Sequence, residues 1–180
     1  MRRAPAALTA LVLLIVPSAA ASAPAADLVV VGLGGETTTM TPARLADLPR
    51  AEATLHEGAK TSSYEGPTLT AILREARTPT GPRAHGAPMR AYVTVTGADG
   101  YAVVLSLAET DPEFRTGPVV LADKADGAPL DARQGPYRLV IGDDLKPWRA
   151  VRTVVRIEVR EAPGGPPPDL QGATPSGRGD

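Results

Sequence analysis

Between residues 89 and 160 the chain is cut into short β-type runs, each closed by Gly, Pro or Asp. No other feature constrains the fold as strongly. In residues 89–96, Ala91, Val93 and Val95 alternate with Tyr92, Thr94 and Thr96, the period of a strand with one buried face. Ala98-Asp99-Gly100 supplies a hairpin turn, and residues 101–105 return. Residues 106–109 fit a single helical turn. Residues 119–122 and 137–141 read as further strands, with a turn at Asp126-Gly127 between them. Residues 151–159 alternate again. Val151, Thr153, Val155, Ile157 and Val159 fall on one face, and Arg152, Arg156 and Glu158 on the other.

The first half adds strands and two short helices. Residues 28–31 form a continuous apolar run that suits a buried strand, and Gly32–Gly35 punctuates it. That glycine group lacks the third glycine and the helix of a dinucleotide fingerprint, so it reads as a turn. Thr41-Pro42 supplies an N-cap and a first-turn proline for a helix over 43–48, with Leu45 and Leu48 on one face. Residues 51–55 and 60–64 read as a strand and its continuation or return. Pro67 opens a second helix over 68–76, with Leu69, Ile72 and Leu73 at helical spacing. Residues 77–88, rich in Pro and Gly, read as a loop. The fold class is α+β, mostly β, and the order of elements does not give a doubly wound sheet.

Length allows one domain, placed at residues 27–160. Before it, Arg2 and Arg3 precede an apolar run, residues 6–16, too short to span a bilayer. Pro17 and the Ala19-Ala20-Ala21 triplet follow, the pattern of a signal peptide over residues 1–21. The mature chain is therefore expected in the periplasm or secreted, with no transmembrane segment. Residues 162–180 carry no core-forming pattern and are expected to be a disordered tail. The chain has no cysteine, so its fold rests on core packing alone. Without Arg2 and Arg3 it holds 17 basic residues against 20 acidic, which argues against nucleic acid as a partner.

The candidate site lies in residues 135–159. Arg138, Trp148, Arg149 and Arg152 cluster there with Lys146, and Trp148 is the sole tryptophan. Guanidinium forks suit phosphate or carboxylate. Two readings stand side by side: an anion-binding strand edge, or a solvated face with cross-strand ion pairs. Asp143-Asp144 reads as a solvated turn with Lys146 nearby to neutralise it. Of the two histidines, His56 is the stronger site candidate. Neither has a partner at metal-ligand spacing, and no catalytic constellation is present.

Several pieces then fall in one order. They are TPARLADLP (41–49), YEGPTLTAIL (64–73), DGYAVVLSLAE (99–109), VLAD (120–123) with DGAPL (126–130), GPYRLVI (135–141) and WRAVR (148–152). This order resembles the oxidoreductase molybdopterin-binding domain family, the sulfite-oxidase-like fold, over about residues 27–159. The resemblance implies a mostly-β fold of mixed sheets and an ancestral cleft for molybdopterin near Arg138, Trp148, Arg149, Arg152 and His56. It also implies a molybdenum-ligating cysteine in the segment 55–63. That segment reads LHEGAKTSS, and the hydroxyls of Ser62 and Ser63 are no substitute for a soft thiolate. The expectation is thus an exported homologue without redox catalysis, binding a small anion, a pterin-like molecule or a protein partner. The alternative is a sulfite-oxidase-class oxidoreductase that holds its cofactor without a cysteine.

Overall fold

The computed structural model describes residues 22–164. The signal-peptide reading at 1–21 and most of the tail reading lie outside the described residues. The largest sheet orders its strands β2 (Thr37–Met40), β1 (Leu28–Val31), β11 (Val154–Glu161), β5 (Ala91–Gly97) and β6 (Ala102–Ser106). β1 pairs parallel to β11, and the other three pairings are antiparallel. A second sheet is the hairpin β3 (Arg50–Glu57) and β4 (Lys60–Pro67), extended by β8 (Lys124–Ala125) and β9 (Ala128–Pro129). Between the two lies a ribbon of β7 (Val119–Ala122) and β10 (Arg138–Ile141).

All eight residues of that ribbon are buried. Its alternate faces serve two cores. Val119, Leu121, Leu139 and Ile141 join the large core, which takes in the five-stranded sheet and both helices. Val120, Ala122 and Val140 join a smaller core with Ala53, Leu55, Tyr64 and Leu130. Burial on both faces explains why Val119–Ala122 and 139–141 are continuous apolar runs, whereas β5 alternates Ala91, Val93 and Val95 inward with half-buried Tyr92, Thr94 and Thr96.

The helices start where their caps require. The Thr41 hydroxyl accepts from Arg44 N at the start of α1 (Pro42–Ala46), and the Thr68 hydroxyl accepts from Ala71 N at the start of α2 (Leu69–Glu75). β4 runs directly into that second cap, crossing β7 closely at Gly66. A Cβ there would stand 2.1 Å from Leu121 O, so only glycine admits the crossing.

Several expectations need correction. Residues 37–40, read as nothing in particular, form edge strand β2. The turn at Asp126-Gly127 closes the short β8–β9 hairpin, and the 77–88 loop contains 3-10 turns at Gly81–Arg83 and Ala87–Arg90. Both helices are shorter than expected, and β11 begins only at Val154. Its register shifts between Val154 and Arg156, and Thr153 takes a left-handed φ of 47°. The irregularity places Val154, Ile157 and Val159 inside and leaves Val155 exposed, so simple alternation from Val151 fails. Val151 is still buried, in the large core.

Candidate binding cleft

A cleft of about 300 Å³ opens where the two sheets meet the 3-10 turn Pro147–Arg149. Glu57, at the end of β3, forms one wall. Asp99 and Tyr101, from the β5–β6 turn, form another, and Arg138, Trp148 and Arg152 close it. Three of the five sequence candidates therefore converge on one place, Arg138 from β10 and Trp148 and Arg152 from the stretch before β11.

Arg138 is not an exposed edge residue, contrary to the strand-edge reading. It is 1% exposed, at the head of the doubly buried ribbon. Its Nη2 donates to Glu57 Oε1 at 2.8 Å, and its Nη1 donates to the Tyr64 hydroxyl at 2.6 Å and to Gln134 Oε1. The Tyr64 hydroxyl in turn donates to Gln134 Oε1 at 3.0 Å. The guanidinium carbon stands 5.0 Å from the centre of the Tyr64 ring, within cation–π range. Arg138 Nε is buried without a partner among the described residues. Arg138 thus acts as a buried tie between ribbon and hairpin, presenting only its paired end to the cleft.

Glu57 is the residue that sequence reading missed. Both cleft guanidiniums converge on its Oε1, Arg138 at 2.8 Å and the more exposed Arg152 at 3.6 Å. The hydrogen bond from Arg138, assisted by its charge and that of Arg152, outweighs desolvation and holds the Glu57 carboxyl below the usual carboxylate range. No local signal marks it: a buried arginine requires a carboxylate, but the burial of Arg138 is visible only in the fold.

Trp148 is 72% exposed at the cleft mouth, and the Tyr101 hydroxyl donates to its carbonyl at 2.6 Å. Arg149 does not line the cleft. It forks onto Asp144, at 3.0 and 2.6 Å, and its Nη1 reaches Glu109 Oε1 at 2.9 Å. The Asp144 bond raises its pKa above the ordinary arginine value. Arg149 is a clamp holding the 143–147 turn to the 3-10 turn Ala108–Thr110, and it takes the neutralising role expected of Lys146. His56 also lies outside the cleft. It is exposed, and its Nδ1 bonds Thr61 Oγ1 at 3.0 Å across the hairpin. Neighbouring residues of a strand point to opposite faces, so Glu57 faces the cleft and His56 does not.

The cleft's four charged side chains, Glu57, Asp99, Arg138 and Arg152, sum to zero. Among the described residues no group of three or more His, Asp or Glu is placed to hold a metal ion. The arrangement offers an exposed indole, a tyrosine ring, one accessible guanidinium and carboxylate acceptors. It can stack a flat ligand and bond its polar edge.

A family model described as the oxidoreductase molybdopterin binding domain matches residues 37–166. No curated protein matches the chain. Among solved structures, the sulfane dehydrogenase SoxCD from Paracoccus pantotrophus is similar at a TM-score of 0.59 and 20% identity, over 76% of this chain and 38% of that one. The chain thus spans well under half of that relative's length, and the likeness is one of fold: mostly β, with mixed sheets and few helices.

Proposed function

The chain belongs to the oxidoreductase molybdopterin-binding domain family, and from that premise we propose that it is an exported binding domain without redox chemistry, whose cleft takes a flat, pterin-like heteroaromatic. The donor set does not fit a molybdenum cofactor. The chain has no thiolate, and no substitute ligand group is assembled among the described residues. A bare anion finds only one accessible guanidinium there, Arg152, because Arg138 is buried and committed to Glu57, and the cleft's charges balance. What it keeps is a stacking surface, Trp148 and Tyr101, beside charged groups of both signs.

The observation that carries this reading is the exposed Trp148 indole set over a charge-balanced cleft. A pterin ring offers a π face to the indole, an N–H edge to a carboxylate and a carbonyl to Arg152. Export is supported by the apolar run and small-residue triplet before residue 22. No helix among the described residues is long and apolar enough to cross a membrane.

Trp148 is the only tryptophan, so its fluorescence reports on this cleft alone. Titration with free pterin is expected to quench it saturably, and Arg152→Ala is expected to weaken the effect. Absence of saturable quenching refutes the ligand class. Near-stoichiometric molybdenum, measured by mass spectrometry in protein purified from its native compartment, refutes the non-redox reading.

A further inference from the structure

We propose that a second cavity, between α2 and the segment 110–119, binds a small organic carboxylate. This cavity of about 250 Å³ shares no lining residue with the cleft, so the inference stands apart from the proposed function. Arg74 and Arg115 line it, and no carboxylate does.

Of the 13 arginines in the described residues, eight form ion pairs with Asp or Glu, and Arg74 and Arg115 are among the five that do not. Of the nearby acids, Glu113 is exposed, forms no ion pair among the described residues and does not line the cavity, and the others are committed elsewhere. Asp111 is buried and accepts from Gly81 N and Glu113 N. Glu109 and Asp144 pair with Arg149, and Glu75 pairs with Arg44. Asp143, which faces the depression on the other side of Arg115, is not within ion-pair distance of it. Arg115 is half-buried. Its Nη2 donates to Gly142 O, while its Nε is buried with no partner among the described residues. A partly buried guanidinium left without a counterion is costly, and an incoming anion removes that cost.

The rest of the lining defines the ligand. Ala71, Pro118 and Val119 are apolar. The threonines add little polarity. Thr70 donates to Thr110 O and Thr110 donates to Leu107 O, so those two hydroxyl hydrogens are committed, while Thr68 accepts from Ala71 N and keeps its own hydrogen. Arg74 donates through Nε to Thr80 Oγ1 at 3.2 Å, and its Nη atoms have no partner among the described residues. A carboxylate fits the guanidinium fork, and at about 30 Å³ per water-sized unit the whole cavity holds about eight such units, the carboxylate included, which leaves room for a small apolar body. Inorganic phosphate fits less well, because only a small part of the wall can donate to it.

The test is a thermal-shift and calorimetric titration of the full chain with benzoate, acetate and phosphate at matched ionic strength. Benzoate is expected to bind saturably and to raise Tm, with acetate and phosphate much weaker. Arg115→Gln is expected to weaken benzoate about 10- to 100-fold, the loss of one hydrogen bond to a charged group. Quenching of Trp148 by pterin is expected to be the same in wild type and variant. Should Arg115→Gln not fold, Arg74→Gln decides, because Arg74 is exposed and its loss leaves the core intact. Unchanged benzoate affinity in a folded variant overturns the site. Phosphate binding as tightly as benzoate overturns the ligand class, and no saturable benzoate response in the wild type overturns both.

Discussion

Replacing Glu57 by Gln should destabilise the protein more than replacing Glu57 and Arg138 together. In the wild type, Arg138 is 1% exposed and its charge is balanced chiefly by Glu57 at 2.8 Å. The Glu57→Gln change leaves that charge with neutral partners only, Tyr64 and Gln134, and with Nε already unpaired. Breaking a buried pair from one side costs about 3 to 5 kcal/mol. The Glu57 side chain is 30% exposed, so water reaches Nη2 and reduces the cost. The expected loss is about 2 to 4 kcal/mol, equivalent to about 7 to 13 °C in Tm for a domain of about 140 residues. Adding Arg138→Met removes the stranded charge and fills its volume with apolar atoms. The double variant should therefore recover stability relative to Glu57→Gln, an outcome documented for buried pairs replaced by hydrophobic residues. Urea and thermal unfolding of wild type, both single variants and the double variant measure the cycle. A double variant no more stable than Glu57→Gln refutes the claim that a stranded buried charge is the cause.

Two further outcomes follow from the same geometry. Arg138 holds the Glu57 carboxyl below its ordinary 4.5, so its stabilisation is complete above that value and is lost as pH falls through the lowered one. Tm measured from pH about 7 to about 3 should fall at the acid end, less steeply in Glu57→Gln than in wild type. Gly66→Ala places a Cβ 2.1 Å from Leu121 O and 2.6 Å from Ala122 Cα. Both are backbone atoms that cannot rotate away, so the loss should reach about 3 kcal/mol or more, the upper end for overpacking, and a wild-type Tm would rule the close crossing out.

The sequence showed the strands and caps because these are local properties. The Thr41 cap and the Asp99-Gly100 turn act within a few residues of themselves, and both appear where expected, whereas Thr68, read as the first residue of its helix, is the cap. What it hid was the layering. Arg138 looks like a surface arginine on a β run until β7 and β10 are seen to be covered on both faces, and that depends on where the β3–β4 hairpin packs. The β11 irregularity was hidden for a related reason. A period-two pattern starting at Val151 contains no mark of the left-handed Thr153 that resets it. Of the site residues, Arg138, Trp148 and Arg152 were legible from composition and clustering. Glu57 was not, because its importance derives from a partner 81 residues away. Arg149 was misassigned because its acids, Glu109 and Asp144, compete for it more closely than any ligand in the cleft.

The parallel pairing of β1 with β11 has a consequence for the order in which the protein can fold. The first strand of the large sheet waits for the last, and β11 also supplies the neighbour that β5 needs. About 125 residues separate their starts, which at about 5 to 20 residues per second is about 6 to 25 s of synthesis. During that time neither β1–β2 nor β5–β6 has its central partner, and the large core cannot close from the N-terminal side. Folding must await release of the C-terminal strand, with the high contact order and slow barrier crossing that such non-local pairing imposes. A nascent chain of this topology therefore remains open to chaperones for nearly the whole of its manufacture.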